Sequence, residues 1–442
     1  MTWNLENAQV ELHGVLSFVP DIEYWLNVNN TYRVVFIQNQ ASWFVVTGKD
    51  FVVDAHNEGG IEGNGQPWWD YYTSHVRDDG DGRPLSLTLH EVERGVIRNF
   101  RIQSPPFWCN AVTNSRDVLY DGMTCNATNT NPEFYGQNIV PNTDGIDTYR
   151  SNNITLRNWD VTCGDDCLAI KGVTLSTQFN NAIALIQLIY LKNSTSIVAQ
   201  GITCRGGNGV AIGSLGQYIQ FNDVVQNVLL EDITIVRINS TIQPNMQYGV
   251  YFKSWTDTVN GAPPVGGGGG GGFVKDITAR RVSVSEANTP VGLYQTNDGL
   301  PLVNWLNDMH FKDMYPYNQW RHRSDTPSFL RFSDLSFENW VGNASTDTRE
   351  PVPNPNYISP AHISSPPVPS HLTLCPVVVN LNCSSNAPCS NITFSDFDIA
   401  PPSGEAPGFI CINAESVSGL PGTTGSFNIL HVASVSALKY LH

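Results

Sequence analysis

Two short stretches carry residues that could do acid–base chemistry: Asn142-Thr143-Asp144 and Gly164-Asp165-Asp166-Cys167. Asp144 and Asp165 lie 21 residues apart, roughly one coil of a parallel β-solenoid. Stacking one coil on the next would bring three carboxylates to one face. Like charges held together raise one another's pKa, so such a cluster is costly unless it does something. An acid kept protonated beside a pair kept ionised is equipment for hydrolysing a glycosidic bond. Asp and Asn beside Gly are also ordinary turn residues. The recurrence of the pattern one coil later, inside a repeat, favours the catalytic reading.

The elements that must position these residues form a loose repeat. Its unit is a short apolar/polar alternation, often opened by Asn and then Ile or Val. Gly95-Val96-Ile97-Arg98-Asn99-Phe100-Arg101-Ile102, Asn153-Ile154-Thr155-Leu156, Asn227-Val228-Leu229-Leu230 and Asn391-Ile392-Thr393-Phe394 are copies. Period-2 alternation means strands with one buried face. Copies a few tens of residues apart mean stacked coils. The expected fold is all-β: a single-domain right-handed parallel β-helix over residues 1–442. A β-propeller also alternates, but there is no blade-like four-strand period.

Residues 173–192, 300–323 and 349–374 break the repeat. Removing the first joins Lys171-Gly172 smoothly to Asn193-Ser194-Thr195-Ser196. We read the interruptions as intervening sequence retained in the reading frame; surface loops, which solenoids tolerate well, are the alternative. Transcripts lacking these codons would support the first reading.

Composition narrows the function. Charged residues are only 14% of the 442 and the net charge is −16, which argues against nucleic acid or anionic membrane as a partner. The same charge repels an acidic polysaccharide at neutral pH, so an acidic substrate implies an acidic working pH. The nine cysteines form no paired C-x₂-C zinc pattern, so no metal or other cofactor is expected. Their spread suits loop-pinning disulfides in an oxidising compartment. Asn-x-Ser/Thr sequons begin at Asn29, Asn126, Asn153, Asn193, Asn239, Asn343, Asn382 and Asn391, which fits a secreted glycoprotein. Met1-Thr2-Trp3-Asn4-Leu5-Glu6 does not read as a signal peptide, so an N-terminal truncation is expected. No stretch is apolar and long enough to span a membrane.

The chain resembles the family-28 glycoside hydrolases, the polygalacturonase and rhamnogalacturonase group. The matching residues are Asn142-Thr143-Asp144-Gly145-Ile146-Asp147, Gly164-Asp165-Asp166-Cys167, Gly206-Gly207-Asn208-Gly209 and Tyr251-Phe252-Lys253. Gly213-Ser214-Leu215-Gly216-Gln217-Tyr218 is similar to the exo-acting branch, associated with galacturan 1,4-α-galacturonidase activity. The resemblance implies a monomeric β-helix that cuts pectin with inversion. It implies Asp165 as general acid, Asp144 and Asp166 as activators of the attacking water, and a Cys167–Cys204 disulfide. Inversion implies acid and base roughly 6.5–9.5 Å apart, leaving room for the water.

Two positions depart from the family's pattern. Asn208 stands where polygalacturonases usually have His, and Tyr251-Phe252-Lys253 where they usually have Arg-Ile-Lys. Asn208 can still donate a hydrogen bond to the acid but carries no charge. Without the Arg fork, Lys253 alone would meet a galacturonate carboxylate. Tyr251 could instead offer an aromatic face to a neutral sugar such as rhamnose, making a rhamnogalacturonan-directed exo-enzyme the close alternative. A Ca²⁺-dependent polysaccharide lyase on the same fold, and an inactive sugar-binding β-helix, are the remaining readings.

Overall fold

The computed structural model describes the chain except residues 36–39, 76–81, 173–174, 177–193, 219–220, 255–269, 296–327, 346–376, 402–405, 422–426 and 432–442, and the side chains of 175–176, 194, 221 and 427–431. The three sequence interruptions therefore lie almost wholly outside the described residues. What is described is strand upon strand in one large sheet that winds on itself.

Each coil adds a strand in parallel register to the one before. Along one wall run Thr2–Glu11, Val45–Asp54, Leu87–Arg98, Arg116–Asp121, Asn152–Thr162, Ser194–Arg205, Phe221–Val236, Gly271–Ala287, Phe329–Ala344 and Cys389–Ala400. Parallel strands joined by crossovers wind right-handed, which makes this a right-handed parallel β-helix.

The repeat read in the sequence is the corner of each coil. Ile154, Ile197, Val228, Ile277, Leu335 and Ile392 lie in register and are all buried. The residue before each of them has positive φ: Asn153, Ser196, Asn227, Asp276, Asp334 and Asn391, at 52 to 57°. Asn and Asp enter that region more readily than other side-chain-bearing residues. The "Asn-then-Ile" signature thus records a left-handed turn followed by an inward apolar rung. Burying one apolar side chain per rung stabilises each coil by roughly 1.5–3 kcal/mol.

A second wall carries the candidate site. It stacks Asn110–Thr113, Ile146–Tyr149, Asp166–Ile170, Gly209–Leu215, Tyr248–Ser254, Thr289–Tyr294 and Val377–Asn382, each parallel to its neighbour. Ile146, Leu168, Val210, Val250 and Val291 form one rung inside the core. The next residue along forms an outward row: Asp147, Ala169, Ala211, Tyr251 and Gly292. Period-2 geometry alone sends these to the outer face.

Disulfides join Cys109–Cys125, Cys167–Cys204 and Cys383–Cys389. Cys163 and Cys411 are buried free thiols, and Cys375 falls outside the described residues. Among the sequons, Asn29, Asn153, Asn239 and Asn391 are exposed, Asn126 and Asn343 are half-buried, and Asn193 is not described. Asn382 is a correction. It sits in the second wall at 2% exposure, where the folded coil leaves no room for a glycan on its side chain. Among the described residues no helix is long and apolar enough to cross a membrane.

Candidate active site

Backbone hydrogen bonds clamp three successive coils together at one corner of the second wall. Gly145 N–H donates to the Asp166 carbonyl at 3.0 Å, and Asn208 N–H donates to the Asp165 carbonyl at 2.7 Å. Gly207 makes the second approach possible: it has φ +76°, and a Cβ there would collide with the Asp165 carbonyl. The Cys167–Cys204 disulfide ties the carboxylate-bearing coil to the next.

This corner brings Asp144, Asp165 and Asp166 together. One carboxylate oxygen from each lies within 4.8 Å of the others, and all three residues are buried. Asp165 and Asp166 are neighbours on one coil, and Asp144 comes from the coil before it, one inter-strand distance of about 4.8 Å away.

Each carboxylate has its own surroundings. Asp165 Oδ2 accepts from the Asn142 backbone N–H at 3.1 Å and from Asn142 Nδ2 at 3.2 Å. Its Oδ1 accepts from Asn208 Nδ2 and from Asp166 N–H, both at 2.9 Å. Asp166 Oδ1 accepts from the Tyr251 hydroxyl, and Oδ2 pairs with Lys253 Nζ at 2.9 Å. Lys253 Nζ also donates to the Tyr251 hydroxyl at 2.9 Å. Asp144 Oδ1 is buried without a hydrogen-bond partner in the protein. Burial, and then the charges of Asp147, Asp165 and Asp166, hold the Asp144 carboxyl well above the usual range.

Tyr251 differs from the aromatic platform expected of it. Its ring is 1% exposed. It stacks on Tyr248 at 4.2 Å between centroids, with Tyr294 at 6.2 Å. The working end is the hydroxyl, turned onto Asp166. Lys253 likewise points its ammonium at Asp166 rather than standing apart for a substrate.

Sequence reasoning missed a second buried pair beside the triad. Lys171 Nζ lies 3.0 Å from Asp147 Oδ1, with side chains 6% and 1% exposed. Burial pushes the Asp147 carboxyl up to about 7, with Lys171 opposing the rise. Burial also disfavours the Lys171 charge, but Asp147, Asp144 and Asp166 more than offset it and keep the ammonium protonated. Lys171 sits 5.1 Å from the Trp108 ring centroid. The available signal was positional: Asp147 and Lys171 each directly follow or flank inward-facing residues of strands otherwise rich in apolar rungs.

A carboxyl group held by donors, two more carboxyl groups close by, and lysines to offset their charge form a set that can exchange protons with a leaving oxygen and a water. Comparison with known proteins agrees with this chemistry. Residues 6–262 match the family described as Glycosyl hydrolases family 28. The chain is 36% identical over 426 residues to the putative galacturan 1,4-alpha-galacturonidase A of Aspergillus niger, covering 95% of this chain and 82% of that one. It is 29% identical to exopolygalacturonase X-1 of Emericella nidulans, covering 95% and 78%. In fold it is similar to the endo-xylogalacturonan hydrolase of Aspergillus tubingensis, with TM-score 0.62, 21% identity and coverage of 96% and 90%. A β-helix with a carboxylate triad at one corner, matched to that family over more than half its length, places the chain: it is a glycoside hydrolase and belongs to glycosyl hydrolases family 28.

Proposed function

We propose that this protein is an exo-acting pectin hydrolase that releases terminal galacturonate from polygalacturonan and oligogalacturonides outside the cell. The observation that carries the reading is the carboxylate triangle with Asp165 on its own set of donors. With one oxygen of each carboxylate within 4.8 Å of the others, a single water can hydrogen-bond to more than one of them. Asp165 donates its proton to the glycosidic oxygen as the bond from C1 to that oxygen breaks. Asp166, paired with Lys253, takes a proton from the water as its oxygen bonds to C1, and Asp144 helps to position that water. Inversion at C1 follows from attack opposite the leaving oxygen. The relatives named as a galacturan 1,4-alpha-galacturonidase and an exopolygalacturonase support the substrate and the exo mode.

One observation favours a second reading. Tyr251 stands where the family resemblance implies an Arg, and Lys253 is engaged by Asp166. Grip on a galacturonate carboxylate is thereby weaker, and a rhamnogalacturonan chain end becomes the competing substrate. Digestion of homogalacturonan and de-esterified rhamnogalacturonan oligomers, with identification of the released sugar, separates the two. Galacturonate from homogalacturonan supports the first; release from rhamnogalacturonan alone supports the second. Proton NMR of the first-formed anomer tests inversion.

A further inference from the structure

Arg83 lies 59 residues before Asn142 in sequence yet touches it in space. It is 1% exposed. Its Nη1 donates to the carbonyls of Pro106 at 3.1 Å and Pro141 at 3.0 Å, and its Nη2 donates to Asn142 Oδ1 at 3.2 Å. The guanidinium lies 5.0 Å from the Tyr72 ring centroid and 4.8 Å from that of Phe107. A guanidinium is always charged and its planar fork is rigid, so the group it grips is held in one orientation.

That group is the other face of the acid's support. Asn142 presents an amide with two unlike ends. Its oxygen is taken by Arg83, so its Nδ2 must face Asp165 Oδ2, alongside the Asn142 backbone N–H. If the amide turned over, its oxygen would face a carboxylate oxygen. Thr143 braces the same turn: its hydroxyl donates to the Val140 carbonyl at 2.8 Å and accepts from Gly164 N–H at 2.9 Å. Asn142 itself has φ +57°, which turns its backbone N–H to the same carboxylate oxygen as its side chain.

We infer that Arg83 is a positioning residue for the acid: it fixes the Asn142 amide as a donor, and through it sets the orientation and proton affinity of Asp165. This rests on the reading of Asp165 as the general acid. Donors aimed at a carboxylate favour its ionised form. Releasing the amide therefore loosens the acid and lets it hold its proton to higher pH.

The test is a double-variant cycle with Arg83→Gln and Asn142→Ala, scored by kcat, KM and the pH profile on the substrate found active. Each single change is expected to lower kcat by about 100-fold, as a misplaced catalytic group does, with KM changed less than about threefold. Each is expected to move the alkaline limb of the kcat profile to higher pH. The double variant is expected to be no worse than the poorer single, because the two act through one contact. Arg83→Lys keeps charge without the fork and should restore only part of kcat. Independent, multiplying losses with an unmoved alkaline limb would overturn the inference. Should Arg83→Gln fail to fold, Arg83→Lys takes its place in the cycle: an alkaline limb moved in the same direction as in Asn142→Ala supports the inference, and an unmoved limb overturns it. Asp165→Asn run in parallel separates the two levels. If that variant stays active, the reading of the acid fails. If it is inactive while the cycle is additive, only the role of Arg83 fails.

Discussion

Replacing Asp147 by Asn should change how stability depends on pH, by an amount the structure sets. The folded Asp147 carboxyl sits at about 7, against an ordinary value of 3.8, chiefly because it is buried. Between those values the folded protein keeps a proton that the unfolded chain has released. Stability from this group is therefore fully present below pH 4 and is lost as pH rises through 7. Each pH unit is worth about 1.4 kcal/mol, so a window of about three units amounts to roughly 4 kcal/mol at most. Asp144 is shifted in the same direction, in part by the Asp147 charge, so we expect about 2–4 kcal/mol to be attributable to Asp147. Asp147→Asn removes that proton site while leaving Lys171 near Asp144 and Asp166. Guanidinium midpoints of both proteins, measured from pH 4 to pH 8, read the difference. The wild type should lose stability across this range more steeply than the variant. Equal losses in the two proteins, or a wild type more stable at pH 8 than at pH 4, would refute the argument.

Further outcomes follow from the same geometry. Asp144→Asn, Asp165→Asn and Asp166→Asn should each lower kcat by about 10²–10⁴-fold or more with the fold retained, checked by initial rates and circular dichroism. Cys167→Ser should destabilise the protein by up to about 4 kcal/mol, since the bridge closes a loop with sequence separation 37, and thermal unfolding with and without reductant reads this. A Ca²⁺-dependent lyase would need its cation and yield unsaturated products; activity unchanged by EDTA, with no rise in ultraviolet absorbance, is expected instead.

Much of the fold was legible because its rule is local. Asn153, Asn227 and Asn391 mark corners that need positive φ, and the Ile or Val after each marks an inward rung. Both constraints fall on neighbouring residues, so they leave a trace in sequence. The triad was legible for a related reason: one coil separates Asp144 from Asp165, and stacking turns that spacing into contact. The rest depends on three-dimensional neighbours. Tyr251 read as a sugar platform because nothing in its own segment reveals Tyr248 against its face or Asp166 at its hydroxyl. Arg83 gave no signal at all, since the loop it braces begins nearly sixty residues later. Asn382 passed as a glycosylation site because a sequon carries no information about burial.

The central claim is that this site hydrolyses pectin from the chain end with Asp165 as its acid. The most direct measurement is identification of the products released by the purified protein from homogalacturonan oligomers, with Asp165→Asn as control. Monomeric galacturonate appearing from the first minutes, and absent with the control, is the expected result. Release of mixed oligomers, or equal release by Asp165→Asn, would contradict the account.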